Sequence, residues 1–318
     1  MRQNRFKTAL VLSGGGSRAL AHLGVLDELL NLGARIDLVV GTSMGAIVGG
    51  LYAYHGDMAI VMQKMREFLQ SDLFVETLSK ATSGAEDEGG EKLLERLVGL
   101  FRKGIYYTYS IVKSALVSEQ AYLEVMSELI PAHPIEKLRV PFAAVAMDIV
   151  SGEEVVLRTG CLRESIAASA AIPGVLPPVR REGRHLVDGG WVDNVPVAPA
   201  IAMGAHFVIG IDASLQIHEL GPLPSSALDL LHRANDITRI VQSQDRRLCA
   251  DVLLIPPIGP MNWADFQNLD QPVQAGRQTV LQNLAHLRKQ EYQRKARCFL
   301  GRFHPARDSG WRRPMVFL

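Results

Sequence analysis

The chain has 318 residues, of which 47% are apolar and 21% charged, and this is the composition of a folded globular protein. It excludes a disordered chain, and the net charge of +1 gives no reason to expect a nucleic acid partner. The charge is uneven, because residues 277–318 hold ten Lys or Arg and two acidic residues. We therefore expect one α/β domain at 1–276, followed by a basic C-terminal helix and tail at 277–318.

The location of the protein is suggested by its cysteines and by its hydropathy. Cys161, Cys249 and Cys298 lack the spacing of metal ligands and predict reduced thiols in a cytoplasmic protein. The apolar run at 9–12 is too short for a signal peptide. No stretch approaches the ~18 to 20 apolar residues of a spanning helix, so contact with a membrane is expected only at its surface. We expect neither a metal nor a cofactor, and the oligomeric state stays open.

Strand-like and helix-like segments alternate along the chain. Strands are predicted at 8–12, 36–40, 140–149, 153–157, 184–187, 207–211 and 252–255. Helices are predicted at 20–32, 46–54, 57–69, 162–171, 225–248 and 273–299, and the prolines in 176–179 indicate a loop. This alternation predicts a mostly parallel sheet with helices on both faces.

Residues 71–120 are less regular and predict an insertion over the site. They contain an acidic glycine-bearing loop at 84–90, a short amphipathic helix at 93–101 and three tyrosines within 105–109. Such a segment suits a lid that admits an apolar substrate. An ordinary helical layer on the sheet is the alternative.

A Gly-x-Ser-x-Gly sequence at 41–45 directly follows the second predicted strand and precedes a helix. This is the pattern of a nucleophile elbow, in which a serine stands on a sharp turn between strand and helix. The free N–H groups at the start of the helix would face a developing oxyanion. Ser43 is therefore the candidate nucleophile, although the short motif alone also fits a turn without catalysis.

A second glycine-rich turn, Ser-Gly-Gly-Gly-Ser-Arg at 13–18, follows the first predicted strand. Its consecutive N–H groups could face an anion at the start of a helix. It matches neither the P-loop nor the dinucleotide-binding pattern, which argues against a nucleotide site. A tight turn that packs the helix on its strand is the other interpretation.

A third turn, Asp-Gly-Gly at 188–190, follows the strand predicted at 184–187. Ligand sites in α/β sheets lie at the carboxyl ends of the strands, so we expect all three turns to meet there. Together the turns resemble those of the patatin-like acyl hydrolases, in particular bacterial members akin to neuropathy target esterase. Segments 22–24, 168–174 and 193–196 also look like landmarks of that family. The resemblance covers residues 7–213 well and says little about the tail.

The resemblance implies a three-layer α/β/α fold and a Ser-Asp dyad that cleaves fatty-acyl esters, such as those of phospholipids or lysophospholipids. Ser43 would be the nucleophile and Asp188 the base, and Asp188 must be partly desolvated because a carboxylate in water is a weak base. Gly14, Gly15 and Gly16 would form the oxyanion hole together with Arg18. The arginine could add charge there or could fix the loop by binding carbonyl groups.

Three alternatives remain at this stage. A Ser-Asp-His triad would need a later histidine, and the candidates are His206, His218, His232, His286 and His304. A regulatory protein could keep the fold and bind a partner through the tail or through 71–120, in which case deleting the chain beyond residue 277 would abolish binding but not ester hydrolysis. An acyltransferase would share the elbow, but such enzymes resemble Gly-His-Ser-x-Gly, and Thr42 stands at the histidine position here.

Overall fold

The computed structural model describes residues 6–82, 115–224, 227–259, 261–300 and 315–318, and in these residues nine strands form one sheet. The strands are β1 (Thr8–Leu12), β2 (Leu38–Thr42), β3 (Phe142–Asp148), β4 (Glu154–Leu157), β5 (Val179–Arg181), β6 (Arg184–Asp188), β7 (Phe207–Ile211), β8 (Val252–Leu254) and β9 (Met315–Phe317). The α-helices are α1 (Ala21–Asn31), α2 (Met44–His55), α3 (Met58–Leu69), α4 (Asp72–Thr82), α5 (Glu119–Leu129), α6 (Leu162–Ala170), α7 (Val197–Ala202), α8 (Ala227–Arg247) and α9 (Asp270–Phe299).

The sheet has the strand order β5-β6-β3-β2-β1-β7-β8, with β4 paired to β3 and β9 paired to β4. Strands β3, β2, β1, β7 and β8 run parallel to their neighbours in this order. Strands β4 and β6 run antiparallel to β3, and β5 runs antiparallel to β6. The prediction of a mostly parallel sheet is confirmed, with an antiparallel portion around β3.

Helices cover both faces of the sheet, as side chains along β1 show. Leu10 and Leu12 belong to a large core on one face, which also holds the buried side chains of α1, α2, α3, α5, α6 and α9. Ala9 and Val11 point to the other face and pack in a smaller core with Val197 of α7. Helix α8 contacts α7. The three-layer α/β/α prediction is confirmed.

Most predicted elements have the expected type, and the deviations have local causes. Strand β2 begins two residues later than predicted, at Leu38. The segment 176–179, predicted as a loop, runs into the edge strand β5 at Val179. Prolines are compatible with the beginning of an edge strand, because a proline there removes no internal ladder hydrogen bond.

The segments predicted at 84–90, 93–101 and 105–109 lie outside the described residues. Of the predicted insertion at 71–120, the structure describes α4, residues 115–118 and the first two residues of α5. Helix α5 packs against α3, α4 and α6, and so belongs to the helical layer on the large core.

The boundary expected between residues 276 and 277 falls inside α9, which runs through it without a break. Gly276 lies against α1 so closely that a Cβ there would overlap the carbonyl group of Ala21. Arg277 forms an ion pair with Asp27 of α1, with Nη2 and Oδ2 2.7 Å apart. Both sides of the expected boundary therefore pack against the same helix.

The end of the chain also joins the sheet. Strand β9 pairs in parallel with β4, and the amide of Arg158 donates a hydrogen bond to the carbonyl of Leu318 at 2.7 Å. The sequence did not predict this strand, because three residues are too few for a recognisable period. Within the described ranges, no helix combines the length and the hydropathy required to cross a membrane.

Candidate active site

Ser43 and Asp188 are brought together by two strands that meet end to end along one edge of β3. The carboxyl end of β2 places Thr42 opposite Val145 of β3. The carboxyl end of β6 places Asp188 opposite the next β3 residue, Ala146. Strand β4 occupies the other edge of β3 at both positions. The sequence argument expected Asp188 at the end of a parallel strand, but β6 is antiparallel and reaches Ser43 from the opposite direction.

The elbow around Ser43 is strained and tightly packed. Ser43 has φ 55° and ψ −125°, values that residues with a Cβ rarely adopt, and its side chain is buried. A Cβ on Gly45 would overlap the carbonyl of Leu12, so only glycine lets α2 start this close to β1. The Ser43 amide donates a hydrogen bond of 3.0 Å to Ser169 Oγ, which in turn donates to the Val145 carbonyl at 2.6 Å. Ser169 thus ties the elbow to β3.

Asp188 is 3% exposed, and its carboxyl group accepts two hydrogen bonds. The Gly190 amide donates to Oδ1 at 2.7 Å, and the Ser43 hydroxyl is a second donor. Burial raises the pKa of Asp188 above its ordinary value, while these two hydrogen bonds and the charge of Arg239 act in the opposite direction. The result is a carboxylate in contact with a serine hydroxyl and more basic than a carboxylate in water.

The glycine loop lies beside the elbow. A Cβ on Gly14 would stand 3.1 Å from Ser43 Cβ, so the loop backbone borders the serine directly. The Gly14 amide already donates to the carbonyl of Asn194 at 3.3 Å. Within the described chain, the amides of Gly15 and Gly16 donate to no protein acceptor. These two donors can serve an anion, as backbone N–H groups at the start of a helix commonly do.

Arg18 is buried, and its guanidinium group points to two segments that lie against the glycine loop, residues 213–219 and 259–263. It donates to the carbonyls of Ala213 and Gly259, and its Nη2 lies 2.7 Å from Glu219 Oε2. The second of these segments also accepts a hydrogen bond from the Ser17 amide through the carbonyl of Trp263, at 2.7 Å. Of the two roles considered for Arg18, these contacts favour fixing the loop.

Histidine does not complete a triad among the described residues. Neither Ser43 nor Asp188 has a histidine among its hydrogen-bond partners there. His206 lies at the amino end of β7, whereas Ser43 follows the carboxyl end of β2, and its Nδ1 is 3.3 Å from the Lys7 amide nitrogen. His22 is fully buried, with Nε2 2.8 Å from the Ser13 carbonyl oxygen, and burial lowers its pKa to about 4. His22 is thus neutral and supports the glycine loop. His304 lies outside the described residues.

Three site residues had no predicted role. Ser169 was noted only as part of a family landmark, as was Asn194, whose Oδ1 is buried without a hydrogen-bond partner in the described structure. That oxygen lies 2.8 Å from the position of a Cβ on Gly14.

Tyr122 of α5 is the third of these residues. It donates to the carbonyl of Ala167 at 2.6 Å, and burial together with the charge of Asp188 raises its pKa. The small residues around Ser169 signalled close packing, but no local pattern could pair these side chains with Ser43.

Comparison with known proteins gives a consistent result. The family model described as patatin-like phospholipase matches residues 10–201. The chain is 34% identical over 203 residues to lysophospholipase NTE1 of Mycosarcoma maydis, a match that covers 64% of this chain and 9% of that protein. It is 32% identical over 216 residues to an NTE family protein of Mycobacterium bovis, covering 68% of this chain and 51% of the relative.

A human relative and one solved structure are also similar. Patatin-like phospholipase domain-containing protein 6 of Homo sapiens is 32% identical over 210 residues, which are 65% of this chain and 13% of that protein. The chain therefore matches about half of the mycobacterial relative and much smaller shares of the fungal and human ones. The crystal structure of VipD from Legionella pneumophila aligns with a TM-score of 0.45 and 14% identity over 88% of this chain and 67% of that one.

Proposed function

Because the chain belongs to the patatin-like phospholipase family, we propose that it is a serine acyl hydrolase that cleaves fatty-acyl esters of phospholipids or lysophospholipids. Ser43 is the nucleophile, Asp188 is the general base, and the amides of Gly15 and Gly16 hold the oxyanion. The observation that supports this assignment best is the hydrogen bond between the Ser43 hydroxyl and the buried Asp188 carboxyl. The lysophospholipase name of the fungal relative supports the substrate class.

The proposed reaction has two halves. Asp188 accepts the hydroxyl proton as Ser43 Oγ attacks the ester carbonyl carbon, and the negative charge that forms on the carbonyl oxygen is bound by the loop amides. The bond to the leaving alcohol then breaks, and the alcohol takes the proton from Asp188. A water molecule, deprotonated by Asp188, then attacks the carbonyl carbon of the acyl-serine. The bond from that carbon to Ser43 Oγ breaks, Oγ takes the proton back from Asp188, and the fatty acid leaves. Loss of one oxyanion donor typically costs about 3 to 4 kcal/mol of transition-state stabilisation.

The surroundings of the dyad fit these roles. Burial raises the pKa of Asp188 and so makes it a stronger base. A serine nucleophile needs such a base when its partner is a carboxylate and not a histidine. The strained backbone at Ser43 is typical of functional positions. Contact with a membrane surface from the cytoplasm, where the substrates would be met, is part of the proposal and is suggested by the cysteine content and the lipid-related relatives.

Hydrolysis by active-site variants tests the proposal. We would assay a short p-nitrophenyl ester and a lysophospholipid with the wild type, Ser43→Ala, Asp188→Asn and, as control, His206→Ala. Loss of the general base typically costs about 10²- to 10⁴-fold, and Ser43→Ala should lose at least as much. The His206→Ala variant should keep its activity. An inert wild type, or a fully active Ser43→Ala, would refute the proposal and would favour a partner-binding role instead.

A further inference from the structure

Arg239 of α8 lies directly beside the candidate base. Its Nη2 stands 3.2 Å from the position that a Cβ on Gly190 would occupy, and Asp188 Oδ1 stands 3.1 Å from the same point. The guanidinium group lies over the ring of Trp191, with Cζ 4.4 Å from the ring centroid. Contact with the face of an aromatic ring restrains a guanidinium group without using its N–H donors. A positive charge is therefore held at the edge of the proposed active site.

No acceptor in the described part of the chain uses the hydrogen-bond donors of Arg239. Within the described residues Arg239 makes no hydrogen bond, and its Nε is buried without an acceptor. The nearest ion-pair partner is Asp236 on the same helix, with Nη1 and Oδ1 3.9 Å apart. By contrast, Arg18 and Arg247 donate to carboxylates at short distance. The Arg239 side chain is also 30% exposed, so an anion can reach it from solvent.

We propose that Arg239, held over the ring of Trp191, binds a phosphate group of the ester substrate and makes the enzyme prefer phosphate-bearing acyl esters over neutral acylglycerols. The inference rests on the proposed function, because it places the scissile ester at Ser43. In a glycerophospholipid only the glycerol backbone separates the acyl ester from the phosphate, so the two groups can occupy neighbouring positions. A guanidinium edge suits phosphate because it donates two parallel hydrogen bonds to adjacent oxygens.

Arg239 also has a second effect that the test must separate. Its charge acts on Asp188, so its removal changes the titration of the base for every substrate. A subsite for phosphate, in contrast, affects only substrates that carry one. The discriminating quantity is therefore the ratio of kcat/KM for two esters that differ in the phosphate alone, measured at a pH where Asp188 is ionised in all variants.

The substrates are 1-hexanoylglycerol 3-phosphate and 1-hexanoylglycerol, which share the acyl chain and the ester. The enzymes are the wild type, Arg239→Gln, Arg239→Lys and, as matched control, Arg233→Gln, which removes a charge from the same helix. Arg233 instead donates to the carbonyls of Gly221 and Pro222. Arg239→Gln should lower kcat/KM for the phosphate ester about 10- to 100-fold, mainly through KM, and change the neutral ester less than about threefold. Arg239→Lys should lose less, and Arg233→Gln should resemble the wild type.

Equal losses on both esters would overturn the inference and leave Arg239 as a group that acts on Asp188. No loss on either ester in Arg239→Gln would overturn it as well. Calorimetric titration with glycerol 3-phosphate and with inorganic phosphate keeps the subsite testable even if the wild type hydrolyses neither ester, an outcome that would refute the proposed function separately. The wild type should bind glycerol 3-phosphate more tightly than inorganic phosphate, and Arg239→Gln should bind neither. Equal affinity for the two anions, or binding by Arg239→Gln, would contradict a substrate subsite.

Discussion

At the scale of single residues, the Asp188 carboxyl is subject to opposing influences. Removal from water raises its pKa and so strengthens it as a base, whereas the hydrogen bonds from Ser43 and Gly190 stabilise its charged form. Removal from water is the stronger of these influences, so the pKa of Asp188 is raised on balance. A serine hydroxyl that donates to such a carboxylate is in position to lose its proton during attack on an ester.

The pH dependence of hydrolysis follows from this direction. The base is active when deprotonated, so kcat/KM for a neutral ester should rise with pH through a pKa above the ~3.9 of an ordinary aspartate. Measurement of kcat/KM across the acidic range, with circular dichroism to confirm that the protein stays folded, checks this expectation. Asp188→Asn should abolish this rise of kcat/KM with pH together with most of the activity. His206→Ala should show the same rise as the wild type. Full activity below the ordinary aspartate pKa would contradict the assignment of Asp188.

The local motifs around Ser43, Asp188 and Gly14 were enough to select the candidate site residues. They could not decide the role of Arg18, because two of its acceptors, Gly259 and Glu219, lie more than 200 positions further along the chain. For the same reason no pattern in the sequence pointed to Arg239. Residues that support a site from distant elements become visible only when the fold is known.

At the scale of elements, helix α6 connects the elbow to the sheet through one hydroxyl group. Ser169 Oγ accepts from the Ser43 amide and donates to the Val145 carbonyl, and both contacts are buried. On the same helix Ser165 is equally buried, but its hydroxyl accepts from Arg181 Nη1 at 2.9 Å. The two serines therefore differ mainly in their partners, which are the elbow and β3 for Ser169 and Arg181 of β5 for Ser165.

Replacement of these serines separates positioning from stability. Ser169→Ala leaves two buried backbone groups without their partner and should destabilise the fold by about 1 to 3 kcal/mol for each. It should also lower kcat about 10- to 100-fold with little change in KM, because the nucleophile is no longer held in place. Ser165→Ala should destabilise the fold but keep kcat within about twofold. Thermal denaturation and ester kinetics on both variants give the answer, and equal kcat values would contradict the positioning role.

Strands and helices could mostly be predicted from local patterns, and β1 and β7 lie where the sequence placed them. The direction of β6 could not be predicted in this way. Whether a strand runs parallel or antiparallel depends on its partner, and here the partner is β3, about 40 positions earlier. The meeting of Ser43 and Asp188 depends on that direction, so the expected contact rested on an incorrect geometric reason.

At the scale of the whole molecule, residues beyond 276 complete the core. Val280 and Leu287 of α9 are buried in the large core, and β9 extends the sheet. The charge pattern suggested a separate basic tail because lysine and arginine dominate this segment. Six of the seven buried residues of this 30-residue helix lie within 272–280, so the basic stretch that follows shows little apolar pattern and the packing of the helix against α1 was not evident from composition.

Deletion of residues 277–318 should therefore unfold the protein rather than remove a binding tail. Each fully buried aliphatic side chain contributes about 1.5 to 3 kcal/mol, and the deletion removes Val280 and Leu287 together with the ion pair to Asp27. A chain ending at Leu300 keeps α9 and serves as the control; it should fold with a lower Tm because it lacks β9. Circular dichroism and thermal denaturation distinguish the two. A cooperative folded state after the larger deletion would contradict the place of α9 in the core.

Covalent labelling tests most directly whether Ser43 is a nucleophile activated by Asp188. A fluorophosphonate forms a bond from serine Oγ to phosphorus with loss of fluoride, and mass spectrometry of the digested protein locates the adduct. We expect one adduct on Ser43 in the wild type, none in Ser43→Ala, and labelling at least about 100-fold slower in Asp188→Asn. An adduct on another serine, no adduct at all, or an unchanged rate in Asp188→Asn would contradict the Ser43-Asp188 dyad.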